Sequence, residues 1–402
     1  MRLDPIINSL LENDLYKFSM GQAIHNRFAD YTTTWRFKNR SWEETGGYTP
    51  EMVDEIREQI DHYCTLRFTE DELGYLQKIP WIKSTYVDFL RLWHPRRDEI
   101  SVEKTEDGCG MRITAKGSWR NTSMYEVPIL AIVNEVQMKL KFGGNYLAVY
   151  DKAIDKSVKS AFELLTNPIG VFSEFGMRRR LSSACQDFVV QQLTARKVPG
   201  FVGTSNVFLA RKYDVKPVGT MAHEYVMCVG QGTPGWDPAY SNKFMMESWT
   251  EEYGVENGIA LTDTIGLKCF LLDFDKKNAT LFSGVRHDSG DPYDWGLSML
   301  EHYEKLGIDP RTKTLLFSDS LDFERARALN NAFSPRTKIA FGIGTFLANP
   351  SPCRPNIVMK VVECNGNPVA KVSDSPGKSM CESQAYVDYL NRAIRWRIDH
   401  AR

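Results

Sequence analysis

The sequence predicts an α/β fold in which an irregular, incomplete β/α barrel of about seven parallel strands lies beside an α+β domain. Two observations lead to this prediction. Seven short apolar runs each end in a cluster of small, polar and charged residues, and helical patterns separate many of them. A hairpin signal near the carboxyl terminus has no helix after it in this rhythm. The seven clusters are residues 175–178, 202–206, 219–224, 261–263, 285–291, 317–319 and 341–345.

The first third of the chain is typical of a mixed α+β unit. Asn13 or Asp14 is suited to cap its first helix, and Gly143 with Gly144 breaks its last apolar helix. The predicted elements are a helix over 13–28, a strand over 34–38, a hairpin turn at 106–108, a helix over 125–141 and a helix over 146–165.

The rest of the chain alternates strand ends with helices, and it closes on a hairpin and one more helix. The helices between the clusters are predicted over 183–195, 243–253, 293–306 and 321–333. Segments 356–364 and 368–372 flank a hairpin signal, and a final helix covers 383–396. We therefore expect an N-terminal α+β domain over 1–143, joined in space by 351–402, and a barrel over 144–350 that carries the active site.

Composition restricts the kind of protein. The 402 residues carry a net charge of -1, which gives no reason to expect nucleic acid or a membrane surface as a partner. No apolar run has the length of a membrane span, and the first residues lack the apolar core of a signal peptide. The eight cysteines never form Cys-x-x-Cys, which favours reduced thiols in the cytoplasm.

Two clusters have the residues of a phosphate-binding loop. Gly342, Gly344 and Thr345 offer bare backbone amides and a hydroxyl directly after a strand. Thr204 and Asn206 supply similar donors at another strand end. A plain turn explains either loop alone, whereas two such loops in one barrel favour a phosphorylated ligand.

Three arginines, at 178–180, follow another strand end and precede a predicted helix. Cations at a helix N-terminus oppose the helix dipole, so a bound anion would offset their repulsion. The alternative is a solvated helix start. Arg178 is the arginine that we expect to contact a ligand.

Carboxylates and an imidazole make up the remaining chemistry. Alternation along the strand sends Arg286 and Asp288 to one side and His287 to the other. With Asp263 and Asp319, such a ring suits Mg²⁺ held partly through water, or a developing cation. His223 ends another apolar run; a lone histidine there is often a core residue, but beside carboxylates it could act as a nucleophile or base.

At these residues the chain resembles the nicotinate phosphoribosyltransferase family, nearly from end to end. The matching motifs are NDLYKFSM at 13–20, FGMRRR at 175–180, FVGTSN at 201–206, GTMAHE at 219–224, RHDSGDP at 286–292, FGIGT at 341–345 and SDSPGK at 373–378.

The resemblance implies a reaction and its cofactors. The family makes nicotinate mononucleotide from nicotinate and phosphoribosyl pyrophosphate, with Mg²⁺, and couples this salvage step of NAD biosynthesis to ATP hydrolysis. The histidine that matches His223 is phosphorylated by ATP in the family, and the chain has no Walker A motif. The implied fold is an irregular α/β barrel beside a domain built from both chain ends. Both monomers and homodimers occur in the family.

The resemblance also assigns ligand roles. It places Tyr16 and Phe175 on the two faces of the pyridine ring, with Arg178 and Arg286 beside it. Ser205 takes the place of an aspartate in the relative that uses nicotinamide, which favours a carboxylate substrate. Independently of the resemblance, the bare amides of the loop at 341–345 lead us to expect the 5′-phosphate there.

The catalytic and metal roles can be argued from the chemistry of the reaction. The ring nitrogen of nicotinate needs no strong base, so catalysis should come from stabilising an oxocarbenium-like state. Asp263 and Asp288 are the carboxylates that we expect near the ribose. Asp319 or Asp291 is a possible water-mediated Mg²⁺ ligand.

Three alternatives stay open on the residues alone. A nicotinamide or quinolinate phosphoribosyltransferase is the nearest, and quinolinate would need a more basic pocket. A metal-dependent barrel hydrolase would need more histidines at the strand ends. A non-catalytic ligand-binding barrel would not need a nucleophilic His223.

Overall fold

The computed structural model describes residues 2–105, 110–351, 354–372 and 381–401. The hairpin turn expected at 106–108 and the motif at 373–378 therefore lie outside the described residues. Two sheets organise the chain, and the helices pack around them. The strands are β1 (Thr32–Asn39), β2 (Ile100–Lys104), β3 (Met111–Ser118), β4 (Val171–Glu174), β5 (Phe201–Thr204), β6 (Lys216–Pro217), β7 (Ile259–Leu261), β8 (Gly284–His287), β9 (Thr314–Phe317), β10 (Lys338–Ile343), β11 (Ile357–Cys364) and β12 (Asn367–Pro368).

The helices follow the predicted rhythm closely, with several short additions. They are α1 (Leu15–Arg27), α2 (Trp42–Thr45), α3 (Pro50–Thr65), α4 (Glu70–Leu76), α5 (Ser84–Leu92), α6 (Trp119–Thr122), α7 (Glu126–Phe142), α8 (Tyr146–Thr166), α9 (Ser183–Ala195), α10 (Val207–Tyr213), α11 (His223–Gln231), α12 (Ser241–Tyr253), α13 (Leu267–Asp273), α14 (Lys276–Leu281), α15 (Pro292–Lys305), α16 (Phe323–Phe333), α17 (Thr345–Ala348) and α18 (Gln384–Asp399). In the part of the chain that is described, none of these helices is long and apolar enough to cross a membrane.

Seven parallel strands form an incomplete barrel, which confirms the predicted fold class. Their order is β6-β5-β4-β10-β9-β8-β7, and each of the seven clusters lies at the carboxyl end of one strand or just after it. No ladder joins the edge strands β6 and β7 in the described residues. Thr220, three residues after β6, donates from Oγ1 to the carbonyl of Ile259 in β7 at 3.0 Å.

The register of the central strands brings three loops to one edge. Ile343 pairs with Glu174, and Glu174 pairs with Thr204. The residues that follow each of them therefore begin their loops side by side. This is why residues far apart in sequence can share one site at the carboxyl ends of the strands.

The second sheet joins the two ends of the chain. Its five antiparallel strands run in the order β12-β11-β1-β3-β2, and β11 pairs with β1 from Asn39 opposite Ile357 to Thr33 opposite Cys364. The expected packing of the terminal hairpin against the N-terminal segment is thus found. Asn365 and Gly366 both have positive φ, as a two-residue hairpin turn requires. The domain boundaries at 143 and 350 stay predictions.

One predicted strand end is wrong. Residues 217–223 do not form an apolar strand that ends at His223, because β6 stops at Pro217. A side chain at Gly219 would meet the Tyr16 amide nitrogen at 2.9 Å, so the backbone there passes close to α1. His223 instead begins α11, after Ala222.

A buried ion cluster ties α1 to both parts of the fold. Lys17, with a fully buried side chain, contacts Glu126 Oε2 of α7 at 2.8 Å and also Glu224 of α11. Trp119 and Ser123 donate to Glu224 Oε1 at 3.3 and 2.5 Å. Burial disfavours the charge on Lys17, but the two carboxylates outweigh it and raise its pKa. Burial also opposes the charge on Glu126, yet the Lys17 ammonium helps to hold the pKa of this carboxyl at about 2.

Lys17→Met should destabilise the protein by about 3–5 kcal/mol, because it leaves two buried carboxylates without their cation. Urea unfolding followed by circular dichroism measures the change. Lys104→Met is the matched control, since its ion pair with Asp54 is solvent-exposed and such pairs contribute little to stability. Equal losses in the two variants would contradict the role given to Lys17.

Candidate active site

A cavity of about 1000 Å³ opens at the carboxyl ends of the barrel strands, where the antiparallel sheet faces them. Its wall takes residues from α1, β1 and β11 as well as from six of the seven strand-end clusters. Of the sequence-predicted site residues, those in the wall are Tyr16, Phe175, Arg178, Ser205, His223, Arg286, Asp288, Asp319, Gly342, Gly344 and Thr345.

Two aromatic side chains of the same chain, Tyr16 and Phe175, lie in this wall. The Phe175 ring covers Gly342 so closely that a Cβ there would fall 2.4 Å from it. Tyr16 Oη and Arg286 Nε are buried and have no hydrogen-bond partner among the described residues. Buried polar atoms are normally paired, so these two atoms are candidates to contact a bound ligand.

The three arginines at 178–180 make different contacts, and none of them lies in α9. Arg178 and Arg179 lie in a 3₁₀ turn that Arg180 follows, and α9 begins at Ser183, where the sequence predicts it, with the Ser182 hydroxyl as its cap. Arg178 lines the cavity, 3.5 Å from Glu126. Arg179 also lines it and donates to the Ile357 carbonyl, whereas Arg180 is buried against Glu12 at 2.9 Å.

A carboxyl that sequence analysis missed lies beside Ser205. The Ser205 hydroxyl donates to Asp14 Oδ1 at 2.6 Å, and both residues line the cavity. Burial raises the pKa of Asp14, and the nearby Arg178 guanidinium partly offsets this effect. Asp14 as well as Ser205 therefore determines whether this part of the cavity favours a carboxylate or an amide.

His223 lies in a compact group of charged side chains. Its Nε2 is 2.9 Å from Asp263 Oδ1, 2.8 Å from Lys371 Nζ and 3.6 Å from Asp288 Oδ2. Asp263 Oδ2 accepts from Lys371 at 2.7 Å and also from the Ser289 hydroxyl. Burial and the Lys371 ammonium outweigh the two carboxylates and lower the pKa of His223 to about 4. The imidazole is thus neutral near pH 7, and neutrality is the charge state that a nucleophilic histidine requires.

This group does not offer a good metal site. The ligand atoms of His223, Asp263 and Asp288 lie within 4.8 Å of one another, close enough for a shared ion. The Lys371 ammonium, however, contacts all three residues and already supplies the positive charge. Asp319 lines the cavity separately and offers the oxygen donor that Mg²⁺ prefers.

Four predicted residues do not line the cavity. Asp263 lies behind His223. Thr204 donates to Glu174 at 2.6 Å, and Asn206 caps α10, so both side chains already have partners within the fold, and the phosphate contacts expected there stay a prediction. Asp291 caps α15 and lies outside the cavity wall, and its role as a metal ligand stays a prediction. His287 packs against Trp295 and Phe317, on the side opposite Arg286, as alternation predicted.

Glu174 holds two of the site loops together. Its Oε1 accepts the Gly176 amide at 2.5 Å, and its Oε2 accepts from Thr204 at 2.6 Å and from Gln186 at 3.0 Å. Its carbonyl accepts the Ser205 amide at 2.9 Å. Burial raises the pKa of Glu174 to about 7, although these donors favour the ionised form.

The antiparallel sheet and the segments around it contribute cations that sequence analysis did not select. Lys38, Arg40, Arg354 and Lys360 line the cavity. Burial lowers the pKa of Lys360 to about 8, against the opposing effect of Glu126. The sequence does not mark these residues as site residues, because they do not follow a barrel strand. They reach the site only when β1 and β11 pair.

Comparison with known proteins gives a consistent result. Residues 171–396 match the nicotinate phosphoribosyltransferase (NAPRTase) family, and residues 11–134 match the nicotinate phosphoribosyltransferase (NAPRTase) N-terminal domain. The chain is 42% identical over 397 residues to the nicotinate phosphoribosyltransferase of Burkholderia mallei, covering 97% of each chain. It is 44% identical over 395 residues to that of Cupriavidus necator, covering 96% of this chain and 98% of the relative.

Solved structures agree with these relatives. A Vibrio cholerae nicotinate phosphoribosyltransferase superposes with a TM-score of 0.89 at 37% identity, covering 97% of this chain and 94% of that one. A Saccharomyces cerevisiae structure of the same description has a TM-score of 0.89 at 33% identity, covering 98% and 100%.

Glu174→Gln should change how stability depends on pH. Folding raises the pKa of Glu174 from 4.5 to about 7, so the unfolded chain ionises first as the pH rises. The wild-type protein should therefore lose up to about 3 kcal/mol relative to Glu174→Gln between those two pH values. Urea unfolding of both proteins across this range measures the difference. If the free energies of unfolding of the two proteins change in parallel with pH, folding does not raise the pKa of Glu174.

Proposed function

The chain belongs to the nicotinate phosphoribosyltransferase family, and from that membership we propose that it couples phosphoribosyl transfer to ATP hydrolysis through a phosphohistidine at His223. The products are nicotinate mononucleotide and pyrophosphate, a salvage step of NAD biosynthesis that we place in the cytoplasm. The observation that carries the proposal is one cavity that holds both a neutral His223 with its charged partners and an aromatic pocket with two arginines.

The pocket of Tyr16 and Phe175 suits a flat aromatic acid. Burying a carboxylate without a cation costs several kcal/mol, so the acid group needs the positive charge that Arg178 and Arg286 supply. The unpartnered Arg286 Nε supports a direct contact with that group. Tyr16 and Phe175 come from one chain, which supports Tyr16 serving its own site in a monomer or a homodimer.

The glycine loop beside Phe175 suits phosphates. A side chain at Gly344 would lie 3.1 Å from the Phe175 carbonyl, so the backbone here is close and bare, and the Thr345 hydroxyl lines the same cavity. We assign the 5′-phosphate to Gly342, Gly344 and Thr345. The cations Lys38, Arg40, Arg179 and Arg354 suit the pyrophosphate and the polyphosphate of ATP.

Bond formation does not require the protein to supply a strong base. The nicotinate nitrogen attacks the anomeric carbon with its own lone pair, and the bond to pyrophosphate breaks through an oxocarbenium-like state. Asp288, whose Oδ1 accepts from Ser318 at 3.1 Å, is the carboxylate placed to stabilise that positive charge. Mg²⁺, when bound, neutralises the leaving pyrophosphate, and Asp319 would hold it through water.

The ATP half-reaction uses the neutral ring of His223. A ring nitrogen attacks the γ-phosphorus, the bond to the β–γ bridging oxygen breaks, and ADP leaves. Asp263 orients the ring through Nε2, as a carboxylate orients histidine in other nucleophilic sites. The phosphohistidine would place two negative charges beside the phosphate-binding wall and could reorganise its loops before phosphoribosyl transfer.

Arg286→Ala should weaken the use of nicotinate at least about tenfold, since a charge-assisted bond contributes about 1.5–3 kcal/mol. Steady-state kinetics with nicotinate and with nicotinamide measure the effect. Arg311→Ala, in an exposed pair with Asp309, is the matched control and should change neither rate. Equal turnover of the two substrates by the wild-type protein would contradict carboxylate recognition.

His223→Ala should abolish both phosphohistidine formation and ATP hydrolysis. Mixing the wild-type protein with γ-labelled ATP should leave label that survives alkali and is lost in mild acid. Slow transfer without ATP should persist in the variant, because the oxocarbenium chemistry does not use the imidazole.

His287→Ala is the matched control for the labelling experiment. His287 packs between aromatic rings and faces away from the cavity, so the variant should still be labelled once its fold is verified by thermal unfolding. Label retained in His223→Ala but lost in His287→Ala would reverse the assignment.

A further inference from the structure

Lys371 reaches the candidate active site from a part of the chain that the proposed chemistry has not used. It follows β12, and the amide of the next residue, Val372, donates to the Thr264 carbonyl at 2.9 Å. This bond holds the segment beside the loop that carries Asp263. The Lys371 side chain is mostly buried, and it lines the same cavity as His223.

Two groups compete for one nitrogen of His223. The Lys371 ammonium is 2.8 Å from Nε2, and the Asp263 carboxylate is 2.9 Å from the same atom. In a neutral imidazole, Nε2 either accepts a hydrogen bond or donates one. It therefore cannot accept from Lys371 and donate to Asp263 at the same time. His223 Nδ1 makes no hydrogen bond to a described residue, and the ring lines the cavity.

We propose that Lys371 is a positioning residue that selects the tautomer of His223 and withholds the nucleophilic form until a polyphosphate anion binds. The inference rests on the proposed function insofar as His223 is the phosphoryl acceptor. It adds the step that links occupancy of the cavity to the state of that histidine.

Without an anion, the Lys371 ammonium donates to Nε2, so the ring proton is on Nδ1. The only ring lone pair then points at the lysine and cannot reach a phosphate. Asp263 keeps its pairing through Oδ2, which accepts from Lys371 and from the Ser289 hydroxyl.

With an anion in the cavity, the Lys371 ammonium moves toward the new negative charge. The ring then exchanges protons with solvent water: Nδ1 loses one and Nε2 gains one, so the ring stays neutral. The Nε2 hydrogen donates to Asp263 Oδ1, and the Nδ1 lone pair becomes free to attack the γ-phosphorus. Ser289 still donates to Asp263 Oδ2, so the carboxylate keeps a donor when the lysine leaves.

The arrangement is specific to this lysine. Lys360 also lines the cavity, but its charge interactions are chiefly with Glu126 and Arg178. Removing it changes the positive charge of the wall without removing a partner of His223. Lys360→Met is therefore a matched control for any effect that depends on contact with Nε2.

Nitrogen-15 NMR of the full chain, labelled at its seven histidines, measures the tautomer directly. His223→Gln identifies the resonances of His223, and inorganic pyrophosphate is the probe. We expect the wild-type proton on Nδ1 without pyrophosphate and on Nε2 at saturation, with the same response in Lys360→Met. Lys371→Met should lose the response and show the Nε2 tautomer in both conditions.

One tautomer in the wild-type protein under both conditions would overturn the proposal, and this comparison does not depend on whether Lys371→Met folds. A normal response in folded Lys371→Met would overturn it as well. The experiment contains no ATP, so its outcome is separate from that of the labelling test. A tautomer change without phosphohistidine formation would remove the proposed ATP coupling but keep the role of Lys371.

Discussion

The buried charge of Lys17 is the interaction on which the arrangement of the site depends. Tyr16 directly precedes Lys17 on α1. Glu224, which forms an ion pair with Lys17, directly follows His223 on α11. Its other partner, Glu126, lies 3.5 Å from Arg178. One ammonium thus joins the aromatic pocket, the histidine and an arginine of the cavity wall. Because buried charges must remain paired, these elements have little freedom to move apart.

The strands supply the second constraint. Parallel pairing of β10, β4 and β5 brings three loops to one edge, and the Glu174 side chain joins the loop of Gly176 to that of Thr204. The barrel is left open between β6 and β7, and the antiparallel sheet contributes the remaining wall of the cavity. The site is therefore built from both sheets. The parallel sheet carries the glycine loop and two partners of His223, Asp263 and Asp288, and the second sheet carries cations.

Much of the fold could be predicted because it depends on local patterns. Residue spacing predicts the strand-end clusters, the alternation at Arg286 and His287, and the terminal hairpin, apart from the strand expected to run to His223. The exception at His223 has a local cause, since the polypeptide leaves the sheet at Pro217 and starts a helix instead. What the sequence could not reveal are contacts across long separations. Lys371 meets His223 only through the fold, and no periodicity marks it.

The same reason explains why Asp14 was missed. It looked like a helix cap, and its contact with Ser205 depends on the pairing of two segments that are far apart in sequence. Its presence matters for specificity, because a carboxyl near Ser205 bears on the choice between nicotinate and nicotinamide. Under the proposed function, the choice of substrate would depend on the balance between Asp14 and the two arginines, rather than on Ser205 alone.

The most direct test of the whole account is to identify the product by mass. The protein is incubated with phosphoribosyl pyrophosphate, Mg²⁺ and either nicotinate or nicotinamide, with and without ATP. The account requires nicotinate mononucleotide as the main product, formed faster when ATP is present and accompanied by ADP. Nicotinamide mononucleotide as the preferred product, or a rate that ATP leaves unchanged, would contradict it.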